Sequence, residues 1–359
     1  MSKDSNQIIA EDILSIANAK IPWEKLSGCR VVVTGAGGFL GRYIIYTLIS
    51  LYRLGKVSKP INVVGLVRNV VSANDLFSRV EQDGQLSYIE WDLNSIALPD
   101  LGDVNYIIHA ASQASPRFYS IDPIGTLMPN AVGTATLLQA LQKSIDPRGF
   151  LFVSSSEVYG STAVNTPLRE TDFGVSDPAT VRACYSESKR LGETMCMAWD
   201  RQFNIPTFIV RPFHTYGHGL LSNDGRVFAD FVFNILHGEN IAMSSDGSAR
   251  RAFCYVSDAI AGFFTVLLAG QHATAYNVAN PNGELSIMEL AEMLVALYPE
   301  KGLKVDRIKP REDSSYMPTT FNRLVPNVDR LMGIGWVPKI NPQEGFQRMI
   351  EAYLQEGTS

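Results

Sequence analysis

The chain has 359 residues, 46% of them hydrophobic and 19% charged, and a formal net charge of −5. Its length supports more than one lobe, since single cores seldom grow beyond about 250–300 residues, and its composition is that of an ordinary folded protein rather than a disordered or fibrous one. The small negative charge gives no general field to draw nucleic acid, so none is expected as a partner, and any anionic ligand has to be held by local arginines and helix ends.

The opening segment, MSKDSNQIIAEDILSIANAK, lacks a basic start followed by an apolar core and does not read as a signal peptide. No apolar run approaches the roughly 20 residues of a bilayer span, so no membrane partner is expected. Cys29, Cys184, Cys196 and Cys254 are scattered without the paired spacing of a metal site or disulfide framework, and read as free thiols in a reducing cytoplasm, with no metal. Ile9, Ile13, Ile16 and Ala17 fall on one helical face, which predicts a helix over 7–19 within an N-terminal extension, 1–25.

The main fold then begins with WEKLSGCRVVVTGAGGFLGRYIIYTLISLY, a strand, a glycine turn and a helix. Strands are predicted at 61–67, 87–91, 105–109, 149–154 and 205–211, with helical patterns between them, notably 124–144 and 184–203. Alternation of this kind predicts an α/β fold, a doubly wound parallel sheet of the Rossmann type, over 26–211, completed by about 252–272. Beyond 212 the alternation loosens into turn-rich stretches such as SSDGSARR and NPNGE, and a smaller α/β C-terminal lobe, 212–359, is expected to bind the substrate.

VVVTGAGGFLG places Gly35, Gly38 and Gly41 between the first strand and its helix. A pyrophosphate needs that arrangement: a tight turn, close approach of backbone N–H groups, and a helix N-terminus carrying partial positive charge. After the second strand an acid would bond the adenosine ribose of NAD, but VVGLVRN has Arg68 there, which leaves NADP open beside NAD. Asp92 follows the third strand and reads equally as an adenine contact or as a helix-starting cap.

The fifth strand stops at three serines in VSSSEVYG, where Ser155, Ser156 and Glu157 form either a polar cap or one wall of an active site. About thirty residues on, YSESK gives Tyr185 and Lys189 at i and i+4, on one face of a helix. A cation beside a phenol favours the phenolate, which can then take a proton from a carbinol.

With these motifs in order, the chain resembles the extended short-chain dehydrogenase/reductase family of nucleotide-sugar epimerases, dehydratases and decarboxylases, from about Leu26 to Tyr353. The resemblance implies a tightly bound nicotinamide cofactor, hydride transfer at sugar C4, and a homodimer formed through the two long helices. It makes Ser155, Tyr185 and Lys189 the catalytic triad, and puts Gly35, Gly38, Phe39, Leu40, Gly41, Arg68, Asp92, Leu93, Ala110 and Ala111 around the cofactor.

HAASQASPRFYSIDPIGTLMPNAVGT, SSSEVYG, NDGRVFADFV and ARRAFCYVSDAI are similar to motifs of the UDP-glucuronate decarboxylase branch. That likeness implies a UDP-sugar substrate, with Ser156, Glu157, Tyr119, Arg226, Arg251 and Arg311 near it. Departures are His214, where the branch carries asparagine, Arg68, and a poor match around IKPREDSSYMPTTFNR. A 4,6-dehydratase or a 4-epimerase remain as alternatives. dTDP-glucose dehydratases use adjacent Asp-Glu where this chain has Ser156-Glu157, and an epimerase requires no carboxylate at 157. A non-catalytic dinucleotide sensor is disfavoured because both Tyr185 and Lys189 are present. Arg211 reads as a structural ion pair or a ligand contact, and His109 as a packed or capping histidine.

Overall fold

A computed structural model describes residues 7–78, 85–95, 97–162, 166–308 and 323–357. In chain order the strands are β1 (Arg30–Thr34), β2 (Asn62–Val67), β3 (Leu86–Glu90), β4 (Tyr106–His109), β5 (Gly149–Val153), β6 (Thr207–Pro212), β7 (His214–Tyr216), β8 (Ile241–Met243), β9 (Arg250–Tyr255), β10 (Thr274–Val278), β11 (Glu284–Ser286), β12 (Val305–Arg307) and β13 (Arg323–Leu324).

Seven of these form one parallel sheet in the order β10-β6-β5-β4-β1-β2-β3, which matches the predicted doubly wound architecture. Its strands are β-branched and aromatic because both faces are covered. Along β1, Val31 and Val33 enter the core on one face while Val32 enters the core on the other. From β1 the chain runs outward to β2 and β3, then returns to the far side of β1 as β4. The order therefore reverses between β1 and β4, where a crevice opens at the carboxyl ends of the strands.

The 124–144 helical pattern is broken in the structure. Helix Pro123–Met128 passes through a π-turn, Pro129–Gly133, into helix Thr134–Gln142. The second long helix, Ala183–Phe203, ends on Asn204 in the left-handed region. A smaller sheet is built on β9, with β11 antiparallel to it, β13 parallel to it, and β7 parallel along its second half.

Helix Gln7–Ala17 buries Ile8, Ile13 and Ile16. Its Asp12 is also buried, and accepts from Tyr255 Oη (2.8 Å) and from Arg348 Nη2 (2.8 Å) on helix Pro342–Gly357. Among the described residues no helix is long and apolar enough to cross a membrane.

Candidate active site

The cofactor end is built by glycine. Gly35 follows β1 at φ +67°, where L side chains are strained, and a Cβ there would lie 2.8 Å from Ala111 Cα beyond β4. At Gly41 a Cβ would collide with the Gly35 carbonyl. Gly38 caps helix Phe39–Arg53, so the N–H groups of Phe39 and Leu40 belong to a first turn that has no intrahelical acceptors. Thr34 joins the two sides of the crevice: its Oγ1 accepts from Ala111 N (3.0 Å) and lies 2.7 Å from His109 Nδ1.

His109 Nε2 lies 3.0 Å from the Pro129 carbonyl in the π-turn. Burial holds its pKa down to about 3, with Lys189 adding to the effect, so the ring is a neutral packed link, one of the readings expected of it. Arg68 is exposed directly after β2, and Asn69 caps the next helix by accepting from Ser72 N. Asp92 caps a turn instead of starting a helix, accepting from Asn94 N (3.0 Å), while Leu93 lies against Gly133. These groups fit a dinucleotide: a flat glycine loop, a helix N-terminus, and small residues, Ala110 and Ala111, opposite.

The other wall comes from the end of β5 and from helix Ala183–Phe203. Ser155 is extended and caps the short 3₁₀ turn Ser156–Tyr159, its Oγ accepting from Glu157 N (3.2 Å). Tyr185 is 5% exposed and Lys189 2%. Lys189 Nζ donates to the Val153 carbonyl (2.6 Å) and stands 5.8 Å from the Tyr185 ring centroid. Burial pushes Tyr185 up to about 12, with the Ser155 hydrogen bond opposing, and the lowering expected from Lys189 comes instead from Arg226 and Arg182. Burial likewise pulls Lys189 down to about 7, with Glu193 opposing.

Tyr119 lies on a helix, Pro116–Ile121. It stacks on Tyr185 with ring centroids 5.1 Å apart and planes at 16°. Over Tyr119 sits the Arg182 guanidinium, 4.8 Å from the ring centroid, and Arg182 Nη2 donates to both oxygens of Glu157 at 2.8 Å each. Arg182 was missed in the sequence. The signal for it is its place three residues before Tyr185, in VRACYSESK, at the start of a predicted helix.

Around the smaller sheet, His214 opens β7, Arg251 is buried in β9, and Arg226 precedes helix Val227–His237 beside Asp224 (3.2 Å). His214 is pushed well below the ordinary histidine range by burial and by Arg251 and Arg226, so it is neutral. Its Nδ1 is buried with no hydrogen-bond partner among the described residues. Arg226 and Arg182 both favour the charged form of Tyr185. Ser156 is buried in the same turn as Glu157, and Arg311 lies outside the described residues. The four cysteines are free, three of them buried and Cys184 half-buried.

A parallel sheet with a glycine-lined crevice and a Ser-Tyr-Lys set beside it defines a dinucleotide-dependent enzyme of the short-chain dehydrogenase type. Residues 31–279 match the NAD dependent epimerase/dehydratase family. The chain is 33% identical over 350 residues to UDP-glucuronic acid decarboxylase 2 of Arabidopsis thaliana, covering 95% of this chain and 72% of that protein. It is 32% identical over 329 residues to UDP-glucuronic acid decarboxylase 6 of the same plant, covering 91% and 89%. Among solved structures, UDP-glucuronic acid 4-epimerase from Bacillus cereus, in complex with UDP-glucuronic acid and NAD, superposes with a TM-score of 0.75 at 20% identity, covering 91% of this chain and 99% of that one. The chain belongs to the NAD-dependent epimerase/dehydratase family, the extended short-chain dehydrogenases.

Proposed function

We propose that the protein is a nucleotide-sugar decarboxylase that takes a UDP-hexuronic acid, UDP-glucuronate first among them, to a UDP-pentose and carbon dioxide. The Glu157–Arg182 pair carries this reading. A carboxylate bonded twice to a guanidinium is an orienting group rather than the free base that dehydration needs at sugar C5, and the pair sets a planar cation suited to carboxylates beside the Ser155 and Tyr185 hydroxyls. Similarity to the plant decarboxylases supports the same choice.

The glycine turn at Gly35, Gly38 and Gly41 and the first turn of helix Phe39–Arg53 would hold NAD, which would supply a reversible hydride acceptor for sugar C4. Tyr185, in the phenolate form that Ser155, Arg226 and Arg182 favour, takes the C4 hydroxyl proton. The resulting ketone is β to the C6 carboxylate, so loss of carbon dioxide leaves its electron pair on an enolate oxygen, which Ser155 and the reprotonated Tyr185 stabilise by hydrogen bonds. Glu157, held by Arg182, orients the sugar or the water that protonates C5. Arg226 and Arg251, with His214 between them in charge influence, hold the diphosphate; Arg311 joins them there by resemblance.

The unit is a homodimer through helices Pro123–Met128, Thr134–Gln142 and Ala183–Phe203, a reading supported by Ile124 and Leu191, which are 66% and 44% exposed. Mass spectrometry of the product tests the chemistry. A product lighter by one carbon dioxide is expected; one lighter by one water, or of unchanged mass, replaces the reading with dehydration or epimerisation.

A further inference from the structure

Two side chains that no step above uses, Glu193 and Arg211, meet behind the catalytic turn. Glu193 lies four residues beyond Lys189 on the same helix, so the two share a face. Glu193 Oε1 accepts from Ser154 Oγ (2.5 Å) and Arg211 Nε (2.9 Å), and Oε2 accepts from Arg211 Nη2 (2.7 Å). Arg211, 8% exposed on β6, continues the chain: its Nη1 donates to Tyr159 Oη (3.1 Å) and to the Glu170 carbonyl (3.0 Å). Tyr159 in turn donates to Asn277 Oδ1 (2.6 Å).

Ser154 and Tyr159 bracket the segment that presents Ser155, Ser156 and Glu157, and the one ion pair holds both brackets. Lys189 and Glu193 also grip consecutive residues of the chain, Val153 through its carbonyl and Ser154 through its hydroxyl. The groups that face the Lys189 ammonium are Glu193 and Tyr185 from its own helix, His109 from β4, and Arg211 from β6 through Glu193. His109 is neutral, which leaves Glu193 as the anion of the set.

We propose that Glu193, clamped by Arg211, is a positioning residue that fixes both ends of the Ser155–Glu157 turn and keeps the Lys189 ammonium protonated at working pH. The proposal rests on the reading that Tyr185 and Lys189 serve oxidation at C4. It separates two effects, a geometric one through Ser154 and an electrostatic one on Lys189, and each has its own variant.

The experiment compares the full-length wild type with Glu193→Gln, Glu193→Asp and Ser154→Ala. Lys189 is titrated by carbon NMR in lysine-labelled protein, its signal assigned by loss in Lys189→Arg, and kcat and KM are measured across pH. In Glu193→Gln the Lys189 midpoint is expected to fall by about one unit or more, because the anion of the set is removed while the Arg211 cation stays. kcat at neutral pH should fall about tenfold or more, the loss shrinking as pH is lowered, while KM for the nucleotide sugar stays within about threefold.

Ser154→Ala keeps the charge and should lower kcat without moving the midpoint. Glu193→Asp, which also keeps the charge should the glutamine variant fail to fold, is expected to behave like Ser154→Ala. An unchanged Lys189 midpoint in Glu193→Gln, a shifted one in Glu193→Asp, or an undiminished kcat in Ser154→Ala overturns the proposal. Wild type that leaves UDP-glucuronate untouched sinks the decarboxylase reading alone, because the Lys189 titration still reports on Glu193.

Discussion

Replacing Arg182 by lysine keeps a cation at the mouth of the site and removes its planar fork. Arginine makes two charge-assisted bonds to Glu157 at 2.8 Å and lies 4.8 Å over the Tyr119 ring, with side chains 22% and 17% exposed in the pair. Both bonds come from the one nitrogen Nη2, so lysine can keep them, but it keeps little of the stacking. The lost stacking contributes ~0.5–1 kcal/mol. That is roughly a two- to fivefold fall in kcat/KM. Steady-state turnover of UDP-glucuronate gives kcat/KM, and calorimetry gives NAD affinity, which should not change because Arg182 lies at the substrate end. A lysine variant with undiminished kcat/KM would refute the role given to the pair. Glu157→Gln provides the companion measurement: an orienting carboxylate predicts a loss of the same order, whereas a general base predicts about 10²–10⁴.

Tyr185→Phe should abolish turnover while leaving nucleotide-sugar binding measurable by calorimetry; a working phenylalanine variant removes the proton-transfer role. His109 carries a pH signature. Its folded pKa of about 3 lies below the ordinary 6.5, so the unfolded chain binds more protons in between, and stability is full above 6.5 and declines as pH falls toward 3. Urea unfolding should show that slope, up to ~1.4 kcal/mol per pH unit from this group, and His109→Gln should flatten it; an unchanged slope assigns the acid sensitivity elsewhere. Arg68, exposed beyond β2 where no acid stands, should let NADP bind alongside NAD, and Arg68→Asp should shift the preference toward NAD by about tenfold. Fluorescence titration of both cofactors checks this, and equal ratios in the two proteins exclude Arg68 from the choice.

The long apolar strands and the glycine turn were legible because burial on both faces writes itself as continuous β-branched and aromatic runs. β7, β8, β11, β12 and β13 were not, since two or three residues are too few for any period to register, and the longer β9 and β10 went unread in the stretch beyond 212 where the alternation loosens. The π-turn at Pro129–Gly133 was hidden for a different reason: its flanks keep helical spacing, and the extra residue that widens the turn is invisible to a pattern of apolar positions. Tyr185 and Lys189 announced themselves by spacing within one helix. The partners that place them did not, because Arg182 meets Glu157 and Glu193 meets Arg211 across 25 and 18 residues, contacts that only the assembled sheet creates.

The buried bond between Asp12 and Arg348 spans 336 residues. The seat of helix Gln7–Ala17 is therefore completed from the other end of the described chain. Without helix Pro342–Gly357, burying Asp12 would leave a carboxylate without its cation, so the packing of one helix depends on the other. The fold is thus buckled by its two ends, and Tyr255, at the end of the strand that carries Arg251, is caught in the same clasp.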